Sequence, residues 1–120
     1  MQGGDVSAHE LLANATGISP FQRSVYQTLL EVPAGRVTTY GALARRIGCA
    51  SAQAIGQALR RNPFAPQVPC HRVVASDGSL TGFAGHRDSS ALARKRSLLE
   101  AEGVKLDVME RVESSCFAEW

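Results

Sequence analysis

Apolar residues recur at helical spacing in successive stretches of this chain, and residues that start or stop helices bracket each stretch. Phe21, Val25, Leu29 and Val32 share one helix face. Ser19 and Pro20 suit a cap and a first turn, and Pro33-Ala34-Gly35 ends the run. Val37-Thr38-Thr39 leads into a second helix whose buried side is Tyr40, Leu43, Ala44 and Ile47, stopped by Gly48. Ser51 then caps a third helix running to about Arg61, with Ala52, Ile55 and Leu59 on its apolar side. Its other side, Gln53, Gln57, Arg60 and Arg61, is polar and free of acids. Two short helices joined by a tight turn, the second with a basic outer face, predict a helix-turn-helix.

The pattern changes after Asn62-Pro63. Pro66 and Pro69 predict an extended segment, and His71-Arg72-Val73-Val74-Ala75 reads as a strand. Asp77-Gly78 is a turn signal, after which Ser79-Leu80 suits a short return strand. Thr81 to Gly85 is a glycine-flanked loop able to wrap a ligand. Asp88, Ser89 or Ser90 caps a last helix through Leu92, Leu98 and Leu99 to Glu102, and Gly103 stops it. The expected fold is therefore mainly α with a small β element, a winged-helix-like helix-turn-helix domain. The division read from the pattern is a flexible N-terminal tail over 1–16, a folded domain over 17–105 and an irregular or weakly stranded C-terminal tail over 106–120, with a short helix expected near Ala8–Ala13.

Charge adds to this picture through its distribution. The net charge is +2, but residues 1–16 carry only Asp5 and Glu10, and Lys105 and Arg111 face Asp107, Glu110, Glu113 and Glu119 in 104–120, so each end is −2 and the centre +6. No acid lies between Glu31 and Asp77, where Arg36, Arg45, Arg46, Arg60, Arg61 and Arg72 all fall. Such a stretch suits a phosphate-facing surface as well as a merely solvated one. The chain has no span with the apolar length of a membrane helix, and Met1 to Asp5 lacks the basic start and apolar run of a signal peptide. Cys49, Cys70 and Cys116 are an odd number without a pairing pattern, which points to reduced thiols inside a cell.

Cys70 is the sharpest chemical candidate. Basic neighbours, His71 and Arg72, favour its thiolate, a soft nucleophile suited to attack on saturated carbon. A buried structural cysteine is the competing reading. His71 needs a bend or a water to reach Cys70 from a strand, and Glu102 is the group that could orient it in a Cys–His–Glu relay. Cys49, Cys70, His71, His86 and Cys116 show no zinc spacing, so no metal is expected.

Pro69-Cys70-His71-Arg72-Val73-Val74 resembles the active-site motif of the O6-alkylguanine-DNA alkyltransferases. Val37-Thr38-Thr39-Tyr40-Gly41-Ala42-Leu43-Ala44, Ala54-Ile55-Gly56-Gln57-Ala58-Leu59, Arg61-Asn62-Pro63, Gly78 to Gly85 and Leu98-Leu99-Glu100-Ala101-Glu102-Gly103-Val104 come in that family's order. The resemblance covers about residues 19–105 and matches the family's C-terminal, DNA-binding and catalytic half. It implies a protein that binds double-stranded DNA with an alkylated guanine, places its helix-turn-helix in the minor groove and flips the damaged base out. Cys70 would accept the alkyl group in a single turnover without a cofactor, as a methylated-DNA–cysteine S-methyltransferase. His71 would activate it through a water, and Glu102 would polarise His71. Asn62 would order the active-site turn, and Tyr40 would crowd the target phosphate and donate a proton toward the guanine. Val73, Phe83 and Ala84 would line the substrate pocket. Thr39, Ala52, Gln53, Ala54, Gly56, Gln57, Arg60 and Arg61 would meet the DNA. The expected state is a monomer, in the nucleus of a eukaryote or the cytoplasm of a bacterium.

Three departures from the family pattern matter. The sixteen residues before the domain cannot replace the family's usual N-terminal domain, although one-domain members exist. Gln53 stands where the family commonly places the arginine that fills the gap left by the flipped base. His86-Arg87-Asp88-Ser89-Ser90 lengthens the link after the glycine-rich loop. The resemblance thus extends to alkyltransferase-like proteins, one-domain relatives that bind alkylguanine without removing the group and flag it for excision-repair proteins. Those usually carry tryptophan where this chain has Cys70. A helix-turn-helix regulator without lesion chemistry would leave Cys70 and Glu102 without a role.

Overall fold

The computed structural model describes residue 10 and residues 12–64, 67–80 and 89–118. Its elements, in chain order, are α1 (Pro20–Leu29), β1 (Thr38–Thr39), α2 (Tyr40–Ile47), α3 (Ala52–Arg60), a 3₁₀ turn at Cys70–Arg72, β2 (Val73–Val74), α4 (Ser89–Ala101) and a second 3₁₀ turn at Ser114–Cys116. The fold is mainly α with a small β element, as the pattern predicts.

Local chemistry sets the helix ends. Ser19 accepts from the Gln22 amide at 3.0 Å, while the Gln22 side chain accepts from the Ser19 amide at 2.9 Å, so two orphan donors of α1 are satisfied reciprocally. Thr39 caps α2 by accepting from the Ala42 amide, and Ser51 caps α3 by accepting from the Ala54 amide. Gly48 ends α2 at φ +84°, a left-handed conformation that releases the chain into the short turn before α3.

Helices α1, α2 and α3 meet around Val25, Tyr26, Leu29, Val32, Leu43, Ala44, Ile55, Ala58 and Leu59, and Val68, Cys70 and Val73 close the same core. Tyr26 falls outside the apolar repeat of α1 but is fully buried, because its hydroxyl has a partner: it donates to the Ala58 carbonyl at 2.6 Å, and its ring meets Phe64 edge-on. Tyr26→Phe is expected to lower the unfolding free energy by about 1 kcal/mol, since it removes a buried donor from that carbonyl; urea denaturation gives the measurement.

The N-terminal stretch is not wholly a flexible tail. Leu12 is buried in the main core, and the Arg23 guanidinium donates to the carbonyls of Leu12 and Ala15. The helix expected near Ala8–Ala13 lies mostly outside the described residues, though residues 12–14 are helical.

The segment before the strand also differs from expectation. Cys70 does not continue an extended run. The Cys70 amide donates to the Val68 carbonyl, that of Arg72 to Pro69, and that of Val73 to Cys70, which winds residues 70–72 into a 3₁₀ turn. Proline restricts the residue before it and says little about the one after, so Pro69 leaves Cys70 free to turn. The strand is consequently only two residues long. It pairs in parallel with β1, Thr38 opposite Val73 and Thr39 opposite Val74. This pairing sets the chain entering Tyr40 beside the chain leaving Cys70.

Ser79 likewise bridges Arg111 in antiparallel fashion rather than returning as a hairpin strand. Gly78 permits this approach: at φ +88°, a Cβ there would come within 2.7 Å of the Val112 carbonyl oxygen. Phe117 bridges Val37, and Val37, Val74, Leu99, Val104, Val112 and Cys116 form a second core. The chain beyond 105 thus packs against the strand pair, because Val112 and Cys116 supply apolar surface that β1, β2 and α4 leave open.

Candidate active site

Cys70 and His71 sit on a turn buried between the main core and α4. Asn62 holds the approach to it: its amide nitrogen donates to the Val68 carbonyl at 2.9 Å, and its side-chain oxygen accepts from the Phe64 amide at 2.8 Å. The turn carries Cys70 and His71 as successive residues of one 3₁₀ segment.

The His71 ring is 2% exposed. Its Nε2 lies 3.0 Å from a Glu102 carboxylate oxygen, and its Nδ1 is buried without a hydrogen-bond partner among the described residues. A carboxylate only accepts, so Nε2 carries the proton of the neutral ring and Nδ1 presents its lone pair. Burial pulls His71 below the usual histidine range, against the raising influence of Glu102, with Arg72 and Lys95 adding to the lowering. The ring is therefore a neutral base near pH 7.

Glu102 lies just past α4 and is gripped by Arg72. Nε of Arg72 donates to one carboxylate oxygen at 2.9 Å, one terminal nitrogen donates to the other at 2.7 Å, and the remaining terminal nitrogen donates to the Val32 carbonyl at 2.7 Å. Burial pushes the Glu102 carboxyl up, but Arg72 and His71 together outweigh it and hold it below the usual carboxylate range. Arg72, expected from sequence to act on the Cys70 thiol, spends its donors on Glu102 and Val32.

The positive charge near Cys70 comes from a residue that sequence reasoning missed. Lys95 on α4 is 1% exposed and donates to the Val73 carbonyl at 2.7 Å. Burial lowers it, against the raising influence of the neighbouring Cys70, to about 8. A signal for it exists in the chain: Ala91, Lys95, Leu98 and Glu102 share one helical stripe. Within Arg94-Lys95-Arg96, however, Lys95 has the look of one member of a solvated run.

The other expected residues fall on two surfaces. Tyr40 opens α2 half-buried, directly after its cap Thr39. Val73 is buried in β2, its carbonyl taken by Lys95. Ala52, Gln53, Gln57, Arg60 and Arg61 are exposed along and just beyond α3, with Ala54 and Gly56 half-buried. A Cβ on Gly56 would meet nothing within 4 Å, so internal packing does not call for glycine there. Phe83, Ala84 and most of the lengthened loop over 86–90 lie outside the described residues. Among the described residues, no group of three histidine, cysteine or acidic side chains is placed to hold a metal ion.

Fold and site together define a helix-turn-helix domain built around a buried cysteine and a His–Glu pair. Residues 20–104 match the family described as 6-O-methylguanine DNA methyltransferase, DNA binding domain, and the chain belongs to that family. It is 43% identical over 104 residues to a methylated-DNA–protein-cysteine methyltransferase of Shigella flexneri, a match covering 86% of this chain and 58% of that protein. The chain thus spans little more than half the length of such curated relatives. Among solved structures, it resembles the Mycobacterium tuberculosis OGT in complex with DNA, at 36% identity and TM-score 0.64, covering 82% of this chain and 65% of that one. It also resembles S. pombe Atl1 in complex with damaged DNA containing O6-carboxymethylguanine, at 30% identity and TM-score 0.70, covering 88% of this chain and all of that one.

Proposed function

We propose that this domain binds duplex DNA carrying an O6-alkylated guanine and moves the alkyl group onto its own Cys70. The observation that carries the reading is the buried His71 ring, its Nε2 on Glu102 and its Nδ1 without a partner among the described residues, on the same turn as Cys70. In the reaction, Nδ1 takes the thiol proton through a water. The sulfur then attacks the alkyl carbon, the S–C bond forms as the C–O6 bond breaks, and guanine leaves with the bonding electrons. The Tyr40 hydroxyl donates toward the leaving base as negative charge develops on it. Asn62 keeps the turn in place, and Val73 borders the pocket with Phe83 and Ala84. The thioether is stable, so each molecule acts once and needs no cofactor.

Thr39 and the outer face of α3 meet the DNA. Ala52, Ala54 and Gly56 allow a close approach, Gln53 enters the space of the flipped base with an uncharged amide, and Gln57, Arg60 and Arg61 face the backbone. Arginine–phosphate contacts would make binding weaken with salt. The match to Atl1, whose whole length is covered, favours a second reading. There the domain holds the alkylated base and flags it to excision-repair proteins, again as a monomer.

One experiment separates the readings. The protein is mixed with a short duplex containing O6-methylguanine, and its intact mass is taken. A gain of one methylene, mapped to the peptide holding Cys70, is the expected result. Lesion-selective binding at unchanged mass supports the sensor, and binding indifferent to the lesion removes both.

A further inference from the structure

We propose that Arg72 is a positioning residue for alkyl transfer: its guanidinium fork clamps both oxygens of Glu102, its third arm is tied to the Val32 carbonyl in the turn after α1, and it thereby fixes the carboxylate that aims the His71 ring. The inference rests on the alkyl-transfer reading of Cys70 and deepens it.

Its grounds are geometric. Glu102 lies just past α4, in the stretch turned by Gly103 at φ +90°, and its side chain has no helix to stiffen it beyond Ala101. A carboxylate at a helix end samples several rotamers unless held. Arg72 holds it at both oxygens, 2.9 and 2.7 Å, in the planar fork that suits a carboxylate. The fork is itself anchored at 2.7 Å to the Val32 carbonyl, which belongs to the main core rather than to α4. One oxygen of Glu102 is shared: it takes the Arg72 terminal nitrogen and the His71 Nε2 together. The direction of the His71 ring, and with it the place of Nδ1, is therefore set from Val32 through Arg72 and Glu102. Arg72 is 16% exposed in its side chain, and its partners are Glu102 and the Val32 carbonyl.

The test is a double-mutant cycle on the full chain, using single-turnover transfer from a duplex containing O6-methylguanine. Arg72→Met and Glu102→Gln are each expected to slow transfer by about tenfold or more, as misaimed groups do. The double variant is expected to be no slower than Glu102→Gln alone, because Arg72 acts through Glu102. Arg72→Lys keeps the charge but loses the fork; it too is expected to be slow, and slow only where Glu102 is present. This variant decides the matter if Arg72→Met does not fold. Additive losses, or a wild-type rate in Arg72→Lys, would overturn the proposal. The His71 Nε2–H proton resonance of the free protein gives a readout independent of transfer. It should be protected from exchange in the wild type and lost in both single variants. If the wild type moves no methyl group, the alkyl-transfer reading falls, whereas a wild type that transfers beside an unaffected Arg72→Met removes only the role of Arg72.

Discussion

Cys70→Ala is expected to keep lesion binding and to lose the mass gain entirely. Binding and chemistry separate at this residue for a physical reason. The surfaces assigned to DNA lie on α3 and at Thr39, whereas Cys70 sits 7% exposed on the floor of the site. Removing its sulfur deletes one small buried group and leaves the Asn62–Val68 bond and the His71–Glu102–Arg72 network in place. The fold should therefore survive, with a stability loss of about 1 kcal/mol or less. No other described side chain offers a comparable nucleophile in that position: Cys116 is buried in the second core, and Cys49 lies in the turn between α2 and α3 against Ser51. A second consequence separates this variant from a merely inert one. Ionisation of Cys70 raises Lys95, so without that thiol Lys95 should titrate lower. Intact mass after incubation with O6-methylguanine duplex, together with a gel-shift titration at fixed salt, checks the main claim. A methylene still appearing on Cys70→Ala would move the acceptor elsewhere. Loss of lesion-selective binding would mean that the thiol itself holds the base.

Much of the fold is legible in the chain, and the places where it is not have definite causes. The caps Ser19, Thr39 and Ser51 and the stop Gly48 act through local hydrogen bonds and backbone conformation, and local chemistry survives the move from sequence to fold. His71 and Glu102 are paired in sequence only through a family resemblance, since thirty-one positions separate them and spacing alone says nothing about such a contact. The turn at Cys70 reads as strand because the β signal of Val73-Val74 extends backwards over residues whose bonding is decided by Val68 and Pro69. Leu12 and the stretch 112–118 read as parts of tails because each offers too few apolar residues to show a period. They pack because the body leaves apolar surface for them to cover. Lys95 is hidden by its own chemistry: a lysine in a basic run is solvated unless the helix face it occupies is already inside.

Lys95→Met is expected to make the thiol sluggish and to flatten the protein's alkaline stability profile. The folded-state value of Lys95 is about 8, below its ordinary value of 10.5. Between those limits the unfolded chain holds a proton that the folded protein has released, so stability rises with pH across that window. Below pH 8 both states are protonated, and the buried ammonium weakens the fold by a constant amount on the order of 3 kcal/mol. Tyr26 opposes the rise above pH 10, where burial keeps its hydroxyl protonated while the unfolded tyrosine ionises, so the two proteins are compared from pH 8 to about 10. Methionine fills a similar volume without the charge. It should remove the rise, while the Val73 carbonyl, deprived of its donor, takes back about 1–3 kcal/mol of the gain at neutral pH. Urea midpoints at pH 7, 8, 9 and 10 for both proteins measure this. For the site, the sign is opposite. A cation beside Cys70 favours the thiolate, and its removal should slow alkylation of Cys70 by iodoacetamide at pH 7 by about tenfold or more. A variant that is flat in stability yet as reactive as the wild type would assign the thiolate to His71 alone. One that is slow yet keeps the alkaline rise would place the titrating group elsewhere. A more evenly stable fold with a duller thiol is the expected combination, because the buried charge is kept at the expense of stability for the sake of the sulfur.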